Sequence, residues 1–283
     1  VVLAGASNVT GEVWPVEEFA RLAHDHGARI AVDAAQLSAH RRLDLAGWDA
    51  DYVAFSGHKT YAPFGAGVLA GRSDWLDAGA PYLRGGGSTR SVTPDSTVWA
   101  TGAARHEGGS PNVIGAIALA AACSTIATHR EAIEAHESRL LQRLRRGLAG
   151  IDGVEQLSIF DAEHDRVGVV AFTVTGVESA LVSQVLAAEH GIGVRDGRFC
   201  AHLLVDELLG AGLPGAGLGN TEGSGATAVR ASIGLGTSAE AVDRLVGALR
   251  ELVKAGPSAA WQRTDSGWVL EDDPRDAVVT RPW

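Results

Sequence analysis

Methionine is absent from this sequence of 283 residues, and cysteines and long apolar runs are scarce. The two cysteines, Cys123 and Cys200, are too few for a disulfide framework and wrongly spaced for a structural zinc site, so a reducing cytoplasm is the expected location. The most apolar stretch, residues 113–126, is shorter than the ~20 residues needed to span a bilayer. We therefore predict no metal centre, no transmembrane or signal segment and no disulfide-stabilised fold.

Runs of basic residues are also missing. The sequence has 24 Lys and Arg against 34 Asp and Glu, and the resulting formal net charge of −10 disfavours a nucleic-acid partner. Only two of the basic residues are lysines, so chemistry that requires an amine nucleophile has two candidates. Lys254 lies near the end of a predicted amphipathic helix, where a cation complements the helix dipole, whereas Lys59 follows a predicted strand.

Strand and helix patterns alternate in the first half of the chain. A helix is predicted over residues 15–26, before three strands at residues 29–33, 52–55 and 67–70. Strands that alternate with helices favour βαβ units, so an α/β fold with a mainly parallel sheet is expected. The chain opens on an apolar run that is typical of the inside of a strand, so further sequence is expected upstream.

The second half is predicted as a smaller α+β domain. Its predicted elements are a broken helix over residues 114–148, a strand at 168–174, a helix at 178–190, strands at 192–194 and 229–233, and a helix at 239–254. A glycine-rich stretch, residues 210–225, is predicted as surface loop. We predict a large domain at residues 1–126, a small C-terminal domain at residues 127–256 and a polar tail at residues 257–283.

Polar residues are predicted to gather at one edge of the sheet. Asn8, Asp33 and the segment Ser56–Lys59 fall beyond the carboxyl ends of predicted strands, which is where open parallel sheets bind their ligands. These residue types match the needs of pyridoxal phosphate. That cofactor requires an amine, a carboxylate facing its pyridine nitrogen, and partners for its phenolic oxygen and its phosphate.

Each of these needs has a candidate in the sequence. Asp33 could keep the pyridinium protonated as a buried acid, and Gln36 could donate to the phenolic oxygen. Ser56 and His58 could donate to the phosphate. Lys59 could carry the cofactor as a Schiff base, since a cationic ring and a desolvated pocket favour the neutral amine.

Five segments of the sequence carry a family resemblance. They are Ser7–Gly11, Val32–Gln36, Phe55–Lys59, Gly85–Ser88 and Glu107–Asn112. In combination they resemble the class V aminotransferase superfamily of fold type I pyridoxal-phosphate enzymes, and within it they are most similar to cysteine desulfurases and selenocysteine lyases. The resemblance runs from residue 1 to about residue 254. It implies the C-terminal part of a large domain, followed by a small domain.

The resemblance implies roles for further residues. Asn8 would lie near the substrate and the phenolic oxygen. Gly109 would contribute to cofactor binding, and Ser110 would reach the phosphate of the neighbouring subunit's cofactor, which implies a homodimer with shared active sites. Arg230 would grip the substrate carboxylate, a bidentate role that suits a guanidinium, and Arg195 would be a second active-site arginine.

The same resemblance places the sulfur-accepting cysteine at Cys200. Its thiolate would remove sulfur or selenium from L-cysteine or L-selenocysteine, form a persulfide and release L-alanine. An acceptor protein or thiol would then take the sulfur, as in iron–sulfur cluster assembly. Cys123 lies in an alanine-rich helix and is expected to pack in the core, as are Ile114, Ile117 and Leu119.

Two alternatives remain open. The first is another enzyme of the same superfamily, such as an aminotransferase, an epimerase or a different C–S lyase, in which Cys200 takes no part. The second is a non-catalytic, truncated subunit that keeps the fold and pairs with another chain. It arises because the family's N-terminal part of the large domain, with its phosphate-cradling turn and stacked aromatic ring, has no counterpart in this sequence.

Overall fold

The computed structural model describes residues 1–63, 65–210 and 227–273. The chain divides into two compact units. Unit 1 comprises residues 1–6 and 13–133, and unit 2 comprises residues 7–12 and 134–283. All but the first residue of the predicted glycine-rich loop, and the last part of the predicted tail from residue 274, lie outside the described residues.

Unit 1 is built on a four-stranded sheet. Its first elements are strand β1 (Val2–Ala4), helix α1 (Val16–Asp25), and strands β2 (Ala31–Asp33), β3 (Tyr52–Ser56) and β4 (Gly67–Gly71). The strands lie in the order β1-β2-β3-β4, with β1, β2 and β3 parallel and β4 antiparallel to β3. The predicted α/β fold with a mainly parallel sheet is confirmed.

Helix α1 buries one narrow face. Its buried residues Val16, Ala20 and Ala23 recur at the spacing of a single helix face. Ala20 and Ala23 form an apolar cluster with Ile30, which directly precedes β2. Gly27, with a φ of 68°, adopts the left-handed backbone that commonly follows a helix.

The remainder of unit 1 ends in an apolar helix. Its elements are α2 (Asp74–Ala78), β5 (Thr89–Val92), β6 (Thr97–Trp99) and α3 (Val113–Thr128). The prediction that Ile114 and Ile117 lie in the core is wrong, because they are 83% and 66% exposed, whereas Leu119 is 5% exposed. Apolar residues surround the whole circumference of α3, but only Gly115, Leu119 and Ile126 are buried. The outward apolar residues therefore stay in contact with solvent.

The long helix predicted over residues 114–148 is interrupted once, as expected. Helix α3 ends at Thr128, and helix α4 (Arg130–Ala149) begins two residues later. Arg130 anchors the start of α4, because its guanidinium donates to the carbonyls of Ala39 and Ser38 at 3.3 and 3.4 Å. Among the described residues, no single helix has the length and apolar character needed to cross a membrane, and only the bent pair of α3 and α4 passes that test jointly.

Unit 2 is built on a four-stranded antiparallel sheet. Beyond α4 its elements are β7 (Val154–Gln156), β8 (Val169–Val174), α5 (Ser179–His190), β9 (Arg195–Gly197), α6 (His202–Leu208), β10 (Ala228–Ser232) and α7 (Ala239–Ala255). The strand order is β7-β8-β10-β9. One face of this sheet packs with α4, α5 and α7 in a large apolar cluster, in which Phe172, Leu186 and Leu249 are fully buried.

The strand predicted over residues 192–194 is wrong, because strand β9 begins only at Arg195. Ile192 and Val194 are partly buried against the large apolar cluster, and the Ile192 amide donates to the Leu186 carbonyl at 2.8 Å. The apolar residues thus form a connection that covers the core. The residues that pair in the sheet are the polar ones that follow.

Part of the predicted polar tail forms a hairpin of strands β11 (Trp261–Thr264) and β12 (Gly267–Leu270). Trp261 packs against the large apolar cluster, and its indole N–H donates to Glu189 at 2.8 Å. Burial raises the pKa of Glu189, but hydrogen bonds from Ser258 and Trp261 outweigh burial and lower it. The hairpin is therefore tied to α5. The predicted domain limits at residues 126 and 256 stay predictions.

Truncation of Leu249 tests the core of unit 2. Leu249→Ala is expected to lower the free energy of unfolding by about 2–5 kcal/mol, because a fully buried leucine leaves a cavity. Chemical denaturation followed by tryptophan fluorescence measures the change. Leu203→Ala, at a position in α6 that is 61% exposed, is the matched control and should change it by less than about 0.5 kcal/mol. Equal losses in the two variants would contradict the assignment of the core.

Candidate active site

The carboxyl edge of the sheet in unit 1 carries the predicted cofactor residues. Asp33 is the last residue of β2 and Ser56 is the last residue of β3, its parallel neighbour. A 3-10 turn, Gly57–Thr60, follows β3 at once and contains His58 and Lys59. The amine, the carboxylate, the hydroxyl and the imidazole therefore all belong to the ends of two adjacent parallel strands.

Local contacts explain why the chain turns at Lys59. The amide of Gly57 donates to the Ala66 carbonyl at 2.8 Å, and the hydroxyl of Thr60 donates back to the Gly57 carbonyl at 2.9 Å. A side chain at position 57 would meet the Ala66 carbonyl oxygen at 2.9 Å, so only glycine fits without a shift. These contacts end β3 and set the turn that presents Lys59.

The environment of these residues differs from the expected one. Asp33 was expected to be buried, but it is exposed, and its Oδ1 accepts from the Ala35 amide at 2.9 Å. Lys59 and His58 are also exposed, so the residues that the structure describes do not supply the expected desolvated pocket. Gln36 is half-buried, with its amide nitrogen 3.4 Å from the His40 ring. Strand ends project these side chains beyond the packed layers, where little of unit 1 covers them.

The two glycine-rich segments of unit 1 contact each other. Ser88 is buried and closes a turn by donating to the Gly85 carbonyl at 2.7 Å. The amide of Gly109, at a φ of 89°, donates to the Gly86 carbonyl at 2.7 Å. Gly109 is therefore engaged in holding the two loops together, and Ser110 follows it at an exposed position.

The second group of predicted residues lies in unit 2. Residues 7–12, which include Asn8, belong to the compact unit that contains Arg195, Cys200 and Arg230. The predicted place of Asn8 beside Asp33 stays a prediction. The Asn8 side-chain amide donates to the Phe199 carbonyl at 2.8 Å. Its own backbone carbonyl accepts from Arg230 Nη1 at 2.8 Å. Asn8 thus connects the residue before Cys200 to the predicted carboxylate-binding arginine.

The segment Ser7–Glu12 is fixed in unit 2 along its whole length. Ser7 Oγ accepts from the amides of Val9 and Thr10 at 3.2 and 3.1 Å, and Val9 is fully buried. Gly11 has a φ of 78°, and a side chain there would meet the Val169 carbonyl oxygen at 2.5 Å. The backbone that carries Asn8 is therefore tightly constrained.

A buried ion pair completes this anchorage. Glu12 and Arg166 have almost no exposed surface, and their side chains meet at 2.7 Å. The Glu12 carboxylate also accepts from the Thr10 hydroxyl at 2.6 Å, the Ser158 hydroxyl at 2.9 Å and the Phe160 amide at 2.8 Å. Burial raises the pKa of Glu12, but the hydrogen bonds outweigh burial and hold the pKa below its ordinary value. The carboxylate is therefore ionised and fully paired.

Two arginines face each other across strands β9 and β10. Arg195 pairs directly with Arg230 in the antiparallel register, and like charges opposite one another are destabilising. Burial and the charge of Arg195 lower the pKa of Arg230, while Cys200 acts in the opposite direction. Arg230 Nε is buried and has no hydrogen-bond partner among the residues that the structure describes. A carboxylate is the type of ligand that would relieve both the repulsion and the missing bond.

Cys200 lies on an exposed turn beside this pair. Phe199 and Cys200 both have left-handed backbone, with φ of 54° and 60°, which costs about 1–2 kcal/mol for each residue that is not glycine. Arg198, just before them, pairs with Asp206 at 3.0 Å. The other cysteine, Cys123, is partly buried in α3. Burial raises the pKa of its thiol, and the positive charge of Arg130 lowers it by a smaller amount. The two thiols therefore occupy contrasting environments.

Metal binding finds no support in the described ranges. Within residues 1–63, 65–210 and 227–273, there is no group of three or more His, Cys, Asp and Glu side chains that could hold a metal ion. The groups that are present suit other chemistry. The two guanidinium groups can bind an anion, and the exposed thiol and the exposed amine can act as nucleophiles.

Three residues of the site in unit 2 were not identified from the sequence. Glu12 and Arg166 are 154 positions apart, and no local pattern links them. Phe199 reads as an ordinary apolar residue, although its ring lies 5.3 Å from the Arg230 guanidinium. The one available signal was the charged residue Glu12 directly after the segment Ser7–Gly11, which carries part of the family resemblance.

Comparison with known proteins agrees with this geometry. The profile of the family described as aminotransferase class-V matches residues 1–245. A probable cysteine desulfurase of Vibrio cholerae is 36% identical over 254 residues, which cover 89% of this chain and 58% of that protein. Probable cysteine desulfurase 2 of Mycobacterium leprae is 39% identical over 254 residues, covering 89% of this chain and 57% of that protein.

Solved structures are similar over the same extent. The cysteine desulfurase CsdA from Escherichia coli has a TM-score of 0.77 and 31% identity, with 89% of this chain and 58% of that chain covered. The apo cysteine desulfurase from Thermococcus onnurineus has a TM-score of 0.79 and 35% identity, covering 90% of this chain and 60% of that chain. The chain belongs to the class V aminotransferase family, as the resemblance predicted. Within that family it is similar to cysteine desulfurases, and it spans somewhat under three fifths of the curated relatives described above.

Neutralising Glu12 tests the anchorage of residues 7–12. Glu12→Gln leaves Arg166 buried without a counter-charge and should lower the free energy of unfolding by about 3–5 kcal/mol near neutral pH. Because the folded-state pKa of Glu12 is lowered, its contribution is present above the unfolded-state pKa and is lost as the pH falls through the folded-state pKa. The difference between wild type and variant should therefore shrink in acid.

Denaturation curves at several pH values measure this difference. Glu207→Gln, at an exposed position in α6, is the matched control and should have little effect at any pH. A stability difference for Glu12→Gln that stays constant from neutral to strongly acidic pH would contradict an ionised Glu12.

Proposed function

We propose that this protein is a pyridoxal-phosphate-dependent cysteine desulfurase, with selenocysteine lyase activity of the same type. The observation that carries the proposal is the arrangement in unit 2. The exposed thiol of Cys200 follows a residue bound by Asn8, and Asn8 in turn binds Arg230, which faces Arg195 across strands β9 and β10. Sulfur transfer from an amino acid requires a group that binds the substrate carboxylate and, close to it, a thiol that accepts the sulfur. The relatives named above as cysteine desulfurases support the same conclusion.

The residues of unit 1 fit pyridoxal phosphate. Enzymes of this family use that cofactor, and the exposed amine of Lys59, the carboxylate of Asp33 and the hydroxyl and imidazole of Ser56 and His58 are the groups that would hold it. Lys59 would attach the cofactor, and Asp33 would face its ring nitrogen. Gln36 would donate to its phenolic oxygen. When bound, the cofactor supplies an electron sink that allows the substrate C–S bond to break.

The residues of unit 2 would bind and orient the substrate. Arg230 would take the α-carboxylate of L-cysteine through its guanidinium, and Arg195 would share that negative charge. Asn8 would hold Arg230 in place through its carbonyl and would lie near the substrate. The two cations give the site a preference for ligands with a free carboxylate, since cysteine derivatives without one leave the repulsion between the arginines unrelieved.

Cys200 would accept the sulfur. L-cysteine and the Cys200 thiol give L-alanine and a Cys200 persulfide: the substrate Cβ–S bond breaks, an S–S bond forms, and the hydrogen that Cβ gains balances the thiol hydrogen that is lost. The turn at Phe199 and Cys200 keeps the thiol exposed for this step. The persulfide sulfur would then pass to an acceptor protein or a small thiol.

The exposure of three predicted cofactor residues favours a second candidate, a subunit that is completed by further polypeptide. Lys59 and Asp33 are exposed within this chain, as is Ser110. These exposures favour a subunit whose cofactor site is completed by further polypeptide, either a second copy in a homodimer with shared sites or another chain. A truncated subunit without a partner would keep the fold and lack activity. We propose the homodimer in the cytoplasm, where the two cysteines would remain reduced.

Lysine replacement tests the cofactor assignment. The purified full chain incubated with pyridoxal phosphate should show the absorbance of a protein-bound imine, and Lys59→Ala should abolish it because the amine that forms the imine is gone. Lys254→Ala replaces the other lysine of the sequence and is the matched control that should keep the band. An imine band that persists in Lys59→Ala, or disappears in Lys254→Ala, would overturn the assignment of Lys59.

Cysteine replacement separates desulfuration from other chemistry of the family. With L-cysteine, wild type and Cys123→Ser should form alanine and a persulfide that mass spectrometry locates on Cys200. Cys200→Ser should form neither from L-cysteine, because the sulfur has no acceptor thiol. Assays of alanine and sulfide measure the loss. Full turnover by Cys200→Ser would instead support another class V enzyme in which Cys200 takes no part.

A further inference from the structure

Phe199 occupies an unusual position for an apolar residue. It is 4% exposed, yet it directly precedes the exposed Cys200. Both residues have left-handed backbone, a conformation that residues with a side chain keep only where the surroundings impose it. The contacts of Phe199 therefore determine where the Cys200 thiol is held.

Three contacts impose this conformation on the turn. The Phe199 ring is buried in an apolar cluster whose other members include Val9, Ala171 and Val205. Its carbonyl accepts from the Asn8 side chain at 2.8 Å. The turn is closed by the amide of Ala201, which donates to the Arg198 carbonyl at 2.8 Å. The first two of these contacts belong to Phe199 itself.

The same ring also supports Arg230. The Arg230 guanidinium carbon lies 5.3 Å from the ring centroid, within the range of a cation–π interaction. Among the residues that the structure describes, the one hydrogen bond of this guanidinium runs from Nη1 to the Asn8 carbonyl. Without the ring, the repulsion of Arg195 across the strands would act on a guanidinium held at one atom.

We infer that Phe199 is a positioning residue that holds the Cys200 turn and the Arg230 guanidinium in one arrangement. This inference rests on the proposed function, because Cys200 and Arg230 are the groups that it assigns to sulfur transfer and carboxylate binding. The aromatic face is the part of Phe199 that couples the two. A buried aliphatic side chain would fill the same space and leave Arg230 without its support.

The chain offers a matched control in Phe172. Phe172 is fully buried in β8 and belongs to the large apolar cluster of unit 2. It pairs with Val229, whereas its neighbour Ala171 pairs with Arg230. Because successive residues of a strand point to opposite faces, Phe172 lies on the face of the sheet opposite to Arg230 and Phe199. Phe172→Leu thus removes an equally buried ring from the same unit without touching the proposed contact.

The test uses the full chain and two readouts. The first is the rate at which iodoacetamide alkylates Cys200, followed by peptide mass spectrometry, with Cys123 as the internal reference. The second is turnover of L-cysteine, analysed as separate kcat and KM. Phe199→Leu should raise KM about tenfold, the loss expected for a desolvated cation–π contact. It should also change the rate of alkylation of Cys200 several-fold, because Arg230 interacts electrostatically with Cys200 and loses the ring that holds its guanidinium. Phe199→Tyr, which keeps the ring, should restore both values.

Phe172→Leu should lower Tm without changing either readout. If Phe199→Leu does not fold, Phe199→Met fills the pocket with a flexible apolar side chain and must give the same increase in KM and the same changed rate of alkylation. Readouts for Phe199→Leu or Phe199→Met that match Phe172→Leu, with stability alone reduced, would overturn the inference. Absence of desulfuration in wild type, with the alkylation difference intact, would refute the proposed function and leave the positioning role standing.

Discussion

A carboxylate and a guanidinium removed from water hold the segment Ser7–Glu12 in unit 2. The pair of Glu12 and Arg166 is stable there because the remaining lone pairs and protons find partners, including the Thr10 and Ser158 hydroxyls. Arg166 in turn donates to backbone carbonyls of the loop before β8, such as that of Asp161 at 2.8 Å. Breaking such a pair is more costly than never having formed it. The ion pair thus helps to fix the position of Asn8, and through it that of Arg230 and of the turn that contains Cys200.

The features that the sequence revealed are those with local causes. Asp33, Ser56 and Lys59 follow β-rich runs directly, so the edge of the sheet could be located from residue types and spacing alone. Helices α1 and α5 were also recognisable, because the residues that form their patterns are contiguous in sequence. The error at residues 192–194 has a local cause too, since Ile192 and Val194 have strand-like composition but pack over the core without pairing.

The features that escaped detection depend on distant partners. Nothing near Glu12 indicates Arg166, and nothing near Phe199 indicates the guanidinium of Arg230, since each partner is fixed only once the sheet of unit 2 has formed. Exposure is equally non-local. Asp33 has the sequence setting of a buried acid, and Ile114 that of a core residue, yet both are exposed, because burial depends on residues that are distant in the sequence.

Because Arg195 and Arg230 face each other, the anions in the solution affect the folding stability of unit 2. Arg195 and Arg230 repel one another until an anion lies between them. Any small anion that binds only the folded chain therefore shifts the equilibrium towards the folded state. Chloride or acetate in a buffer would then compete with the carboxylate of the proposed substrate for the same charge. An anion that binds between the arginines would therefore raise the melting temperature and lower the apparent affinity for the carboxylate ligand.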